Sequence, residues 1–249
     1  MEKRVTDEPA VSGTQSVFRA LSILHAFTAD RPTLTGPEVA DLFGYSVPTA
    51  YRLLRALEAE NFLVFHRTTR AYGPGPEILR LAGVMLHRDA LVAHTQTSLV
   101  RLRALTGETV AIYWRLGNRC TCTQEIARPE SVEAGIGADF PLTRGAAGKA
   151  LLLHLAENEI RALLDDPDVP APPGGADALL ADLRASRERG YTISAGEIAA
   201  PLPWAGDELA AYSVRAPEAR FGRRERDAAG RTLVDEMARL RAILHDQVP

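Results

Sequence analysis

Apolar positions recur every three or four residues from Val39 to Leu57, then give way to the short aromatic run Phe62-Leu63-Val64-Phe65-His66. The first period predicts a helix from about Thr35 to Phe43, with Val39, Leu42 and Phe43 on one side. Thr35 and Glu38 have capping-box spacing, Pro37 falls in the first turn, and Gly44 supplies a stop. Ser46 is an N-cap for a second helix, in which Ala50, Leu53, Leu54 and Leu57 share one side. Pro48, Tyr51, Arg52 and Arg55 share the other. The aromatic run, the turn Arg67-Thr68-Thr69-Arg70 and the return Ala71-Tyr72 read as a two-stranded wing. Ahead of them, Ser16 to Phe27 is an amphipathic helix with Val17, Ala20, Leu21, Ile23, Leu24 and Phe27 on its apolar side.

Helix, tight turn, helix and wing in this order form a winged helix-turn-helix, which places its second helix in the DNA major groove. An ordinary surface helix mixes its charges, but this one carries two arginines and a tyrosine with no acid before Glu58. Arginine pairs bidentately with guanine or phosphate, tyrosine donates to phosphate, and the helix start offers free N–H groups. The predicted DNA contacts are Ser46, Val47, Pro48, Thr49, Tyr51, Arg52 and Arg55 on the helix, with Arg67 and Arg70 at the wing tip. Two arginines alone would be an ordinary solvated face; the ordered motif with its caps is what favours double-stranded DNA.

After the breaker Gly73-Pro74-Gly75-Pro76, Glu77 to His87 is helical and too apolar for a free linker, so it packs on a partner subunit or on the second domain. Arg88 to Leu105 continues as a helix with Leu91, Val92, Leu99, Leu102 and Leu105 inward. The pattern then changes. Thr109 to Leu116 and Arg119 to Ile126 are strands around Gly117-Asn118; Phe140-Pro141-Leu142 leads to Arg144-Gly145-Ala146-Ala147-Gly148-Lys149, and a helix follows through Leu155. Helices follow over Ile160–Leu164 and Leu179–Arg189, and strands over Tyr191–Ser194, Ile198–Pro201 and Glu208–Arg215. A last helix runs from about Arg223 to Leu244. This order describes an α+β domain with an antiparallel sheet and helices on its faces. The expected organisation is a flexible arm over 1–14, the winged domain over 15–75, a linker helix over 76–90 and a second domain over 91–249.

Composition narrows the picture. The 249 residues suit two domains, 46% of them are apolar, and the net charge of −3 means that DNA affinity must come from a local patch. The patch is modest, which by itself argues for a homo-oligomer that doubles it. The polar start MEKRVTDEPA is no signal peptide, and no apolar run approaches the roughly 20 residues of a membrane helix. Cys120 and Cys122, two apart on one strand, share a face and are too close for an ordinary disulfide; small core residues describe them better than a redox or metal pair. A cytoplasmic location follows. The six histidines lack metal-ligand spacing, and nucleophile elbow, phosphate loop and dinucleotide fingerprint are missing. No catalytic residue, metal or cofactor is expected, and the chain does not read as an enzyme. Gly148-Lys149 reads as a close helix–strand contact followed by a surface cation, and Trp114 and Trp204 as core, interface or pocket residues.

The residues resemble the IclR family of bacterial transcriptional regulators. The first domain matches in Ala20-Leu21, Val39-Ala40, Gly44, Thr49, Tyr51-Arg52-Leu53-Leu54 and Tyr72-Gly73-Pro74. The second matches in Pro141-Leu142, Gly148-Lys149-Ala150-Leu151-Leu152, Arg189-Gly190-Tyr191, Ala199-Ala200-Pro201 and Ser213-Val214. The resemblance implies a GAF-like effector domain behind the winged helix, dimers or tetramers on palindromic operators, and a small organic acid or other metabolite as effector. Carried over residue by residue, the effector contacts would be Ala146 and Ala147 at a helix start, Glu197, and Ser213 with Arg215 in the last strand. Two departures stand out: only Thr192 to Glu197 lies between the Gly-Tyr and Ala-Ala-Pro strands, and Arg215 replaces a small polar residue. Pro48 stands where the family commonly has serine. Two rivals remain, a DNA-bound regulator without an effector and an enzyme that uses its winged helix to dimerise.

Overall fold

The structure is a computed structural model that describes residues 14–28, 30–87, 90–129, 135–203 and 209–245. The expected arm over 1–14 lies, except for Thr14, outside the described residues. The chain forms two compact units, one ending at Asp89 and one beginning at Ala90.

The first unit contains α1 (Gln15–His25), α2 (Gly36–Phe43), α3 (Val47–Ala59), β1 (Leu63–His66), β2 (Ala71–Pro74) and α4 (Pro76–His87). The caps form as the sequence predicts. Thr35 Oγ1 accepts from the Glu38 N–H at 3.4 Å, and Glu38 Oε2 accepts from the Thr35 N–H at 2.7 Å. Hydrogen bonds from Thr35 hold the Glu38 carboxyl below its ordinary pKa. Ser46 Oγ accepts from the Thr49 N–H at 3.4 Å at the start of α3. Ala50, Leu53, Leu54 and Leu57 are buried against Ile23, Leu34, Val39, Leu63 and Tyr72. Each buried leucine contributes about 2 kcal/mol of transfer free energy. Leu34 exchanges two backbone hydrogen bonds with Tyr72, at 2.9 and 2.8 Å, which ties the entry of α2 to the wing.

Part of the predicted apolar side of α1 finds no cover. Ile23 is buried and Ala20, Leu24 and Phe27 pack partly buried against the core, but Val17 and Leu21 are 58% and 48% exposed, as is Phe18 at 43%. Ile78, Leu79, Leu81 and Val84 of α4 are likewise exposed.

The second unit contains α5 (Ala90–Thr106), β3 (Thr109–Leu116), β4 (Arg119–Ile126), β5 (Asp139–Pro141), α6 (Gly145–Leu152), α7 (Glu157–Leu164), α8 (Gly175–Arg189), β6 (Thr192–Ser194), β7 (Glu197–Pro203), β8 (Leu209–Arg215) and α9 (Arg223–His245). Its six-stranded sheet has the order β5-β4-β3-β8-β7-β6, and every pairing is antiparallel. Strand alternation divides the core in two. Val110, Ile112, Ile198, Tyr212 and Val214 pack with Leu99 and Leu102 of α5 and Leu233, Met237 and Leu240 of α9. Ala111, Tyr113, Cys120, Cys122, Ala199 and Ala211 pack with α6, α7 and α8. β3 is covered on both faces, which explains its nearly unbroken apolar run.

Three expectations change. Leu105 is 60% exposed, not inward; the buried side of α5 is Thr95, Ser98, Leu99 and Leu102, a stripe that the helical period continues through Thr106, with Leu105 at its edge. The side chains of Leu91 and Val92 lie outside the described residues. Lys149 is no surface cation: its ammonium sits 2.6 Å from Asp182 Oδ2 and donates to the Ile193 carbonyl. The edge strand β5 adds an element to those expected, because three residues are too few to carry a period. The close contact expected at Gly148 is present, since a Cβ there would fall 2.8 Å from the Leu142 carbonyl oxygen.

Candidate nucleic-acid interface and effector site

Val47, Pro48, Tyr51, Arg52 and Arg55 of α3 are exposed opposite the buried leucines, and Ala56 and Ala59 are exposed further along. Ser46 is exposed at the cap and Thr49 half-buried, with their hydroxyl oxygens 2.8 Å apart. Among the described residues, Arg52, Arg67 and Arg70 take part in no ion pair. Arg67 to Arg70 form the exposed wing tip, closed by the Arg70 N–H on the His66 carbonyl at 2.8 Å, with Arg70 itself at a left-handed φ of 55°.

Tyr51 and Arg55 also have work inside the unit. The Tyr51 ring lies over Gly36, where a Cβ would fall 2.5 Å from its Cζ, so it locks the start of α2 to α3. Arg55 lies near the Tyr72 phenol of the wing; burial and Glu58 push that phenol's pKa up, and the Arg55 guanidinium opposes them. Tyr51 thus ties α3 to α2, and Arg52 in the middle of α3 takes part in no ion pair among the described residues.

In the second unit, Arg144 precedes α6 in extended conformation without capping it through its side chain. Gly145 follows at φ 70°, turning the Ala146 N–H toward β7. That N–H donates to Glu197 Oε2 at 2.9 Å. Arg215, opposite Glu197 across the β7–β8 pair, donates from Nη2 to Glu197 Oε1 at 3.3 Å and to the Tyr113 hydroxyl. Its Nη1 is 3.9 Å from Glu125 Oε2. Burial opposes the Arg215 charge, but Tyr113 and Glu197 outweigh it and hold the pKa above its ordinary value. Burial drives the Tyr113 phenol well above its usual range, with Arg215 opposing. The Thr192 hydroxyl lies 2.7 Å from the Ala146 carbonyl oxygen and 3.1 Å from that of Ala199.

Ala146, Glu197 and Arg215 therefore meet in one cluster, with Ala147 buried one residue further along α6. Ser213 is buried on the same sheet face, in register between Ala111 and Ala199. Tyr113, Glu125 and Thr192 were not singled out from the sequence. Only the β3–β8 register, which aligns Tyr113 and Arg215 on one face, could have flagged the tyrosine.

Cys120 and Cys122 are free and buried on that face, and burial pushes both thiols up to about 12. Trp114 packs partly buried on the α5/α9 side, and Trp204 lies outside the described residues. Desolvation, then Arg241 and Arg187, lowers the pKa of His154. Among the described residues no group of three acidic, histidine or cysteine side chains is placed to hold a metal, and no helix is long and apolar enough to cross a membrane.

Residues 16–67 match the model of the IclR helix-turn-helix domain, and residues 83–240 match that of the bacterial transcriptional regulator IclR C-terminal domain. The chain is 31% identical over 236 residues to the HTH-type transcriptional regulator Rv1719 of Mycobacterium tuberculosis, covering 89% of each protein. Among solved structures, an IclR transcriptional regulator from Alicyclobacillus acidocaldarius superposes with a TM-score of 0.80 at 23% identity, covering 91% of this chain and 97% of that one. An IclR homologue from Microbacterium hydrocarbonoxydans, complexed with 4-hydroxybenzoate, superposes with a TM-score of 0.77 at 19% identity, covering 93% and 100%.

Proposed function

Because this chain belongs to the IclR family of transcriptional regulators, with a helix-turn-helix domain and a C-terminal effector-binding domain, we propose that it reads its operator with α3 and Arg52 at the centre of the contact. The observation that carries this is the exposed face of α3, whose central arginine has no ion pair among the described residues. In the proposed complex, the start of α3 (Ser46, Val47, Pro48 and Thr49) meets the backbone and Arg52 reaches a base edge. Arg67 and Arg70 meet flanking phosphates. Tyr51 and Arg55 contact DNA, and Tyr51 also ties α3 to α2.

The chain works as a homodimer or a dimer of dimers on a palindromic site. The uncovered apolar residues of α1 and α4 support this, because a second copy would bury them. A small metabolite on the α6 side of the sheet acts through its different affinity for DNA-competent and incompetent dimers. Ala146, Ala147, Glu197, Ser213 and Arg215 make up that site. The protein works in the cytoplasm and catalyses no reaction. Selecting fragments of the host genome on the purified protein tests the reading: a shared two-fold sequence motif is expected, and its absence from the bound pool would overturn it.

A further inference from the structure

We propose that Glu197 is a built-in carboxylate that fills the anion seat at the start of α6 and bars carboxylate effectors from it. The inference rests on the effector-site reading above and fixes which ligands that site refuses. A helix start leaves N–H donors without partners, and the local residue does not supply one, because the Arg144 side chain caps nothing. The vacancy favours an anion. It is filled from 51 positions away, by Glu197 Oε2 at 2.9 Å from the Ala146 nitrogen. The fit is close, since a Cβ on Gly145 would sit 3.4 Å from the same oxygen.

The other carboxylate oxygen takes the Arg215 guanidinium at 3.3 Å, and Arg215 in turn holds the Tyr113 hydroxyl. A backbone N–H at a helix start and a guanidinium are the donors that a bound organic acid would use. Both are already engaged by a side chain that is only 10% exposed. Glu197 is tethered through β7 and paired with its cross-strand neighbour on β8, so it competes as an intramolecular ligand. Its effective concentration is at least of about millimolar order, and a free acid must exceed that to displace it. A free acid must also enter beside the carboxylate it displaces, which adds like-charge repulsion.

The test titrates the full-length protein with acetate and with 4-hydroxybenzoate, each up to about 10 mM at constant ionic strength, by calorimetry and by NMR of the Ala146 amide. For wild type, no saturable heat and an unmoved Ala146 resonance are expected. For Glu197→Ala, saturable binding at least about tenfold tighter than any wild-type response is expected, with the Ala146 resonance moving in step. Saturable wild-type binding that shifts Ala146 overturns the inference and leaves the effector-domain reading standing. A folded Glu197→Ala protein that binds neither acid also overturns it, because the seat is then no anion site. If that variant does not fold, Glu197→Gln, which keeps the size and removes the charge, takes its place with the same expected and overturning results. Operator binding is measured on the same wild-type sample, so a failure of the DNA-binding reading is seen separately.

Discussion

Arg52, Arg67 and Arg70 stand exposed in the first unit without an ion pair among the described residues, whereas Arg215 in the second is enclosed by Glu197, Tyr113 and Glu125. The same side chain is left for a partner in one place and used by the fold in the other. An exposed cation beside no acid keeps its full field for a phosphate or a base edge. A buried cation must be paired, because desolvation without a partner costs several kcal/mol. The first unit thus keeps its chemistry for an external ligand, and the second has already supplied an internal one.

The largest expected effect comes from breaking the internal pair. Glu197→Ala strips the Ala146 N–H of its acceptor and leaves Arg215 with less compensation. A loss of about 3 kcal/mol in unfolding free energy is expected from denaturant titration. A change within experimental error would mean that the cluster does not stabilise the domain.

Arg52→Ala tests the other side of the contrast. Specific operator affinity should fall by about 2 kcal/mol, near thirtyfold, with the thermal midpoint unchanged. Unchanged affinity in a gel-shift titration would remove Arg52 from the recognition face.

Thr35→Ala removes the cap that sets the entry of α2, and should cost about 1 kcal/mol. It also carries a pH signature. The folded Glu38 pKa is depressed below its ordinary 4.5, so its contribution is present above that value and is lost as pH falls through the lowered folded pKa. Acid unfolding of wild type should show this term, and the variant should lose most of it. The smallest effects belong to the wing: Arg67→Ala and Arg70→Ala should weaken binding on every DNA sequence alike, each reducing the slope of log affinity against log salt by about 1.

The contrast also explains what was legible in the sequence. The DNA-binding unit is built from short-range signals: Thr35 with Glu38, Ser46 with Thr49, and leucines three and four apart on α3. Each is complete within one turn of chain, and the wing follows at once. What escaped was the second duty of Tyr51 over Gly36 and the closeness of Arg55 to Tyr72, because these pairs span α2, α3 and the wing.

The second site is assembled over long separations, with Ala146 to Glu197 spanning 51 positions and Tyr113 to Arg215 spanning 102. No local period encodes such pairs. Resemblance to the family placed Ala146, Glu197 and Arg215 in one site, but only sheet register shows that they engage one another. The same limit explains Leu105 and Lys149: an apolar residue at helical spacing need not meet the sheet, and a lysine in a helix can be enclosed by a distant Asp182.

The central claim is that α3 reads a specific duplex. The most direct measurement is the affinity of the purified full-length chain for DNA upstream of its own gene and for a genome-selected fragment, each against random DNA, over a salt series. The account predicts a steep negative salt slope, and at least about a thousandfold preference for a selected site that Arg52→Ala diminishes. Equal, weak binding to selected and random DNA, unaltered by Arg52→Ala, would contradict it.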